Sequence, residues 1–106
     1  MNLFSKAILS AAIIGIALTG CGEKKDNHLK VGAIAGAETQ VAEEAAKIAK
    51  EKFGLEVEIV QFSDFATPNV ALNDGSIDVN AFQHKPYLDS QIKDRGFKLV
   101  AVGNTF

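Results

Sequence analysis

LKVGAIAGAETQVAEEAAKIAKEKFGLEVEIVQF, residues 29–62, decides the fold. Residues 29–35 are a short apolar run closed by Gly36, the pattern of a buried strand. The spacing then predicts a helix over 38–53. Val41, Ala45, Ala49 and Phe53 recur every fourth position, and Ala42, Ala46 and Ile48 widen the stripe. Glu38 complements the positive N-terminal end of the helix dipole, and Gly54 supplies the stop. Because the stripe is rich in alanine, the helix can lie close against a sheet. EVEIVQF, 56–62, brings the β-branched residues Val57, Ile59 and Val60 and reads as a second strand.

The alternation continues to the end of the chain. SDFATPN, 63–69, is turn chemistry with Phe65 inside it, and TPNVALNDG is a short helix with Pro68 in its first turn and Gly75 after it. A third strand is expected from Ile77 to about Phe82. A helix over 86–95 follows, with Leu88 and Ile92 facing inward and Gly96 as its stop. KLVAVGNTF, 98–106, is expected to be a fourth strand. Strands alternating with helices in this order predict an α/β fold, a parallel sheet with flanking helices.

Upstream, the chain reads as an export and anchoring signal. Lys6 precedes an uncharged apolar run, 7–18, which is too short to span a bilayer but suits a signal peptide. Leu18-Thr19-Gly20-Cys21 is similar to the bacterial lipobox, whose cysteine is acylated and becomes the new N-terminus. The one cysteine of the chain falls at that place and has no partner for an internal disulfide. The expected organisation is a lipoprotein signal peptide over 1–20, a polar tether over 21–28 that includes a solvated His28, and a folded region over 29–106. Lipidation at Cys21 would hold the protein to a membrane on the extracytoplasmic side of the cell envelope. The formal net charge is −2 and no basic patch stands out, which argues against a nucleic-acid partner.

In open parallel sheets, ligands bind beyond the carboxyl ends of the strands. Phe65, Phe82, His84 and Tyr87 all fall in or beside the segments leaving strands two and three, so the topology gathers them on one rim. An aromatic wall suits an apolar, polarizable group such as a thioether. His84 and the Tyr87 phenol add hydrogen-bonding capacity for a polar ligand head. A plain core role competes with this: it is the stronger reading for Phe82, and for Phe65 the two balance. Tyr87 and His84 carry polar atoms that need partners, which makes them poor core residues.

Catalytic patterns are weak. There is no nucleophile elbow, phosphate loop or dinucleotide glycine fingerprint. Ser63 and His84 are the one conceivable nucleophile–base pair and lack an acidic orienter. Asp74 and Asp78 flank a turn, and no set of histidines and carboxylates has a metal-ligand spacing. No enzyme activity, cofactor or metal is expected.

NAFQHKPYLDSQIKDRG (80–96), LVAVGNT (99–105), FATPN (65–69) and ALNDGSID (71–78) give the chain, from Leu29 onward, a resemblance to the methionine-binding lipoproteins of ABC importers, the NlpA-type family. The resemblance implies a type II periplasmic-binding-protein fold of two α/β lobes, of which this chain is part of the first. It also implies methionine, or a methionine-like small molecule, as ligand and an ABC permease in the membrane as partner. In that family aromatic residues sandwich the methionine side chain. The matching positions are Phe65, Phe82 and Tyr87, with His84 beside them as a polar contact. Phe65 stands where many relatives have tyrosine, so the ring face is kept and the hydroxyl lost. Family members are more than twice as long, and groups gripping the ligand's carboxylate and polar head are implied to lie in their continuation. Arg95 is no substitute, because it ends a helix whose start faces the site. The expectation is therefore a fragment that carries one wall of a pocket and binds little by itself. The alternative is a lipid-anchored surface protein with a non-transport interaction role and a vestigial pocket.

Overall fold

A computed structural model describes residues 27–105. The expected signal peptide, Cys21, most of the tether and Phe106 lie outside the described residues. The elements run β1 (His28–Ile34), α1 (Ala37–Phe53), β2 (Glu56–Phe62), α2 (Thr67–Asp74), β3 (Val79–Asn80) and α3 (Lys85–Arg95). The strands form one parallel sheet in the order β2-β1-β3, as the alternation of strand and helix patterns predicts. Each crossover helix returns the chain to the same end of the sheet, so the exits of β2 and β3 share a rim.

The pairing of β1 with β2 is complete, from His28 opposite Glu56 to Ile34 opposite Phe62. His28 thus belongs to the strand and not to the tether, and its Nε2 stands 3.7 Å from the Glu58 carboxylate. β1 lies between its two neighbours and passes them at Gly32. A Cβ built there would stand 2.7 Å from Ile77 Cδ1 and 2.9 Å from Phe62 Cε2. Only a residue with no side chain lets those two apolar groups come so close to the middle strand. Ala33 and Ile77 are buried beside it, and Leu88 of α3 is buried as well.

α1 packs on β1 and β2 through small residues. Thr39 is buried and its hydroxyl donates to the Ile34 carbonyl at 2.8 Å, fastening the first turn to the end of β1. Ala42, Ala46 and Ala49 are half-buried, whereas Val41, Ala45 and Phe53 are exposed. The inward face is therefore rotated from the expected line through Val41 and Phe53 towards the alanines, whose short side chains permit close approach. Gly54 ends the helix in the left-handed conformation (φ 65°), with its own N–H on the Lys50 carbonyl and the Leu55 N–H on that of Ala49. These two bonds make the glycine stop foreseen from the sequence.

β3 is shorter than expected, two residues in place of the run 77–82. Asp78 accounts for the late start. Its N–H donates to the Lys30 carbonyl (2.9 Å), while its carboxylate accepts from the Lys30 N–H (2.9 Å), so a side chain occupies a strand donor. The expected fourth strand does not form: residues 98–105 carry no strand pairing. A strand needs a neighbour's ladder, and two residues of β3 offer almost none. Val100 and Val102 are 78% and 84% exposed, and the segment is tied down by the Lys98 N–H on the Asn73 side chain (2.9 Å).

α2 has no capping side chain at Ala66. Asp64, two residues upstream, does the work, accepting from the Ala66 N–H (2.9 Å), the Thr67 N–H (2.7 Å) and the Thr67 hydroxyl (2.8 Å). Those bonds, that from the Thr67 backbone first, hold the Asp64 carboxyl below the usual carboxylate range. The hydroxyl and the N–H of Ser76 do the same for Asp74 at the other end of the helix.

Two outcomes follow from this packing. Gly32→Ala forces a methyl against Phe62 and Ile77, and should cost about 1–3 kcal/mol, read as a lower urea midpoint. Both depressed carboxylates stabilise the fold above their unfolded pKa of about 4 and lose that contribution as pH falls through and below it. Melting temperature should fall on acidification from neutrality to that range, and Asp64→Asn should flatten part of the fall.

Candidate functional site

The rim formed by the exits of β2 and β3 holds all four residues named from the sequence. Phe65 lies in the turn after β2. Phe82 and His84 lie in the link after β3, and Tyr87 in the first turn of α3. The rings of Phe65 and Phe82 stack with centroids 6.2 Å apart and planes 21° from parallel. Phe82 and Tyr87 meet edge-to-face at 6.1 Å and 77°. Both are favourable aromatic arrangements, and together they form an L-shaped wall. The wall bounds a cleft of about 340 Å³, lined by Phe65, Phe82, Gln83, His84 and Tyr87. Phe82 is half-buried and Phe65 is 61% exposed, so neither is a core residue.

Local chemistry explains why α3 begins here. His84 has extended backbone (φ −85°, ψ 162°), and its Nδ1 accepts the Tyr87 N–H at 3.1 Å, which makes it the helix N-cap. Pro86 occupies the first turn, where its missing N–H costs nothing. An accepting Nδ1 leaves the proton of a neutral ring on Nε2, so the exposed edge of His84 is a donor. The Tyr87 hydroxyl donates to the Phe65 carbonyl at 3.0 Å. This bond closes the wall by tying the turn after β2 to α3. It also directs the phenolic proton to the backbone, leaving the oxygen as an acceptor towards the cleft.

The other sequence candidates lead elsewhere. With Nδ1 engaged as a cap, His84 is poorly disposed to serve Ser63 as a base. Asp74 and Asp78 bond to Ser76 and Lys30. Among the described residues no group of three or more His, Cys, Asp or Glu side chains is arranged to hold a metal, and no helix is long and apolar enough to cross a membrane. A second cleft, between α1 and β2, is flanked by charged side chains such as Lys50 and Glu56, which pair at 2.9 Å. It has no aromatic lining. Arg95 stacks its guanidinium 4.9 Å from the centre of the Phe97 ring, at the end of α3 away from the wall.

Sequence reasoning missed the amides behind the wall. Asn69 is completely buried, and Asn69, Asn80 and Gln83 hydrogen-bond to one another. The available signal was Asn80 and Gln83 on either side of apolar Ala81 and Phe82, where a strand running inward should be apolar.

Known proteins match this chain closely. The family model described as NlpA lipoprotein matches residues 29–106. The D-methionine-binding lipoprotein MetQ of Escherichia coli (strain K12) is 65% identical over 102 residues, which is 94% of this chain and 38% of that protein. The crystal structure of the methionine binding protein MetQ superposes with a TM-score of 0.74 at 70% identity, covering 76% of this chain and 33% of the other. A nutrient binding protein from Burkholderia cenocepacia, solved bound to methionine, superposes with a TM-score of 0.67 at 51% identity, covering 68% and 30%. The chain thus spans about 38% of the length of the curated relative it matches. With the family model covering everything from β1 onward and a parallel sheet shared with these binding proteins, the chain belongs to the NlpA lipoprotein family.

Proposed function

We propose that this chain is part of a substrate-binding lipoprotein of an ABC importer, and that its aromatic rim is one wall of a methionine site. The carrying observation is the wall itself, in which two rings from loops and one from the first turn of α3 stand at the carboxyl end of a parallel sheet. Relatives of 51–70% identity, named for methionine binding or solved bound to methionine, support it. Phe65, Phe82 and Tyr87 take the thioether chain, whose sulfur gains about 0.3–1.5 kcal/mol from each aromatic contact. His84, presenting Nε2–H, and the Tyr87 oxygen meet the polar part of the ligand from the edge. The matched relatives are named as binding proteins, which supports a role in capturing the ligand without transforming it.

Anchoring completes the proposal. Cys21, acylated after removal of residues 1–20, holds the protein on the extracytoplasmic side of the envelope, where it hands its ligand to the permease. The support is the lipobox-like Leu18-Thr19-Gly20-Cys21 together with membership of a lipoprotein family.

Calorimetric titration of the protein containing this chain with L- and D-methionine tests the site. Heat and a thermal shift are expected with at least one of them, and neither signal with either ligand would reject the assignment. Phe82→Ala and Tyr87→Ala should each weaken binding by roughly tenfold or more, since each removes about 1–3 kcal/mol of aromatic contact and burial. Cys21→Ala should move the protein from the membrane to the soluble fraction. Unchanged membrane partition would overturn the anchor.

A further inference from the structure

The link between β3 and α3 carries Phe82 and His84 with little backbone support. The Ala81 N–H continues the sheet by donating to the Gly32 carbonyl (3.0 Å), and the His84 carbonyl already belongs to α3, accepting from Leu88 (3.2 Å). Between them, side chains fasten the link. Asn69 and Gln83 form a reciprocal amide pair, each nitrogen donating to the other's oxygen at 2.8 Å. Asn80 braces the pair: its Nδ2 donates to Asn69 Oδ1 (3.0 Å) and to the Pro68 carbonyl (3.1 Å), and its Oδ1 accepts from Gln83 Nε2 (3.3 Å). Asn69 Oδ1 therefore accepts two bonds in a site where Asn69 is 0% exposed. Buried amides held this way specify geometry, because any shift strands a desolvated donor or acceptor.

Gln83 stands between Phe82 and His84 in the chain, so fixing it fixes both neighbours. Phe82 is then held against Phe65, and His84 is held where it caps α3 at Tyr87. We infer that Asn69 is a positioning residue for the aromatic wall, acting through its amide pair with Gln83 and braced by Asn80. The importance of this for ligand capture rests on the function proposed above; the positioning itself does not.

Tyr87 is the one tyrosine among these 106 residues, which hold no tryptophan; in the protein containing this chain, the Tyr87 band of the near-ultraviolet circular dichroism is the difference between each protein and its Tyr87→Phe counterpart. Gln83→Leu and Asn69→Leu should each lower that band roughly twofold or more while the far-ultraviolet spectrum is unchanged, because the ring loses its fixed surroundings. The double exchange Asn69→Gln with Gln83→Asn keeps the amide pair at the same combined length and should restore the band. A folded Gln83→Leu variant with the original band overturns the inference, as does an exchange that leaves the band lost, since volume and not the amide pair would then be responsible. Should Asn69→Leu not fold, Gln83→Leu still decides, because Gln83 is only half-buried. No methionine enters the measurement. A protein containing this chain that behaves as expected here yet takes up no methionine rejects the methionine site and leaves the positioning role standing.

Discussion

Everything in the candidate site depends on β1 having a parallel neighbour on each side. Parallel strands must exit at the same end of the sheet, and each is reached through a helix that returns the chain to the start. The turn after β2 and the link after β3, 17 residues apart from Phe65 to Phe82 in sequence, therefore meet on one rim with their rings 6.2 Å apart. Gly32 makes the meeting close. Without a side chain on the middle strand, Phe62 from β2 and Ile77 from the approach to β3 both close over it. A bulkier middle strand would part the two loops and their rings with them.

The wall built on that rim joins an adaptable surface to a rigid backing. Its front is aromatic and half-open, bound by contacts worth about 0.5–1.5 kcal/mol per ring pair. Its back is a set of buried amides whose bonds run at 2.8–3.3 Å and admit little movement. Two further bonds join front to back: the His84 cap on Tyr87 and the Tyr87 hydroxyl on the Phe65 carbonyl. The His84 Nδ1 and the Tyr87 phenolic proton are thereby engaged with the protein itself. What the wall presents on its open side is ring surface, one imidazole donor and one phenolic acceptor.

Much of this was legible in the residues, and the misses have identifiable causes. Helix stops at Gly54, Gly75 and Gly96 announced themselves, because a glycine after an apolar period is a strong local signal, and all three adopt positive φ. The parallel sheet followed from alternation, and the four rim residues followed from the sheet. The inward face of α1 was misplaced, since periodicity ranks valine and phenylalanine above alanine while close helix–sheet packing prefers the smaller side chain. The fourth strand was overestimated because KLVAV has strand composition, yet strand formation depends on a partner ladder that composition does not report. The capping role of Asp64 was missed because it acts two residues ahead of the helix.

The sequence by itself determined the order of the elements as far as α3, the glycine stops of the helices, the α/β class and the identity of the aromatic residues, because these depend on local propensity and on periods of two and 3.6 residues. It also carried the lipobox-like signal at Cys21 and the family resemblance. Tertiary structure alone decided how polar groups are shared. That Tyr87 donates to Phe65, that His84 spends a nitrogen on its own helix, and that Asn69, Asn80 and Gln83 form one buried set depends on distances between segments that the chain brings together only by folding. A hydrogen bond is fixed to within a few tenths of an ångström, and no spacing along a sequence has that resolution.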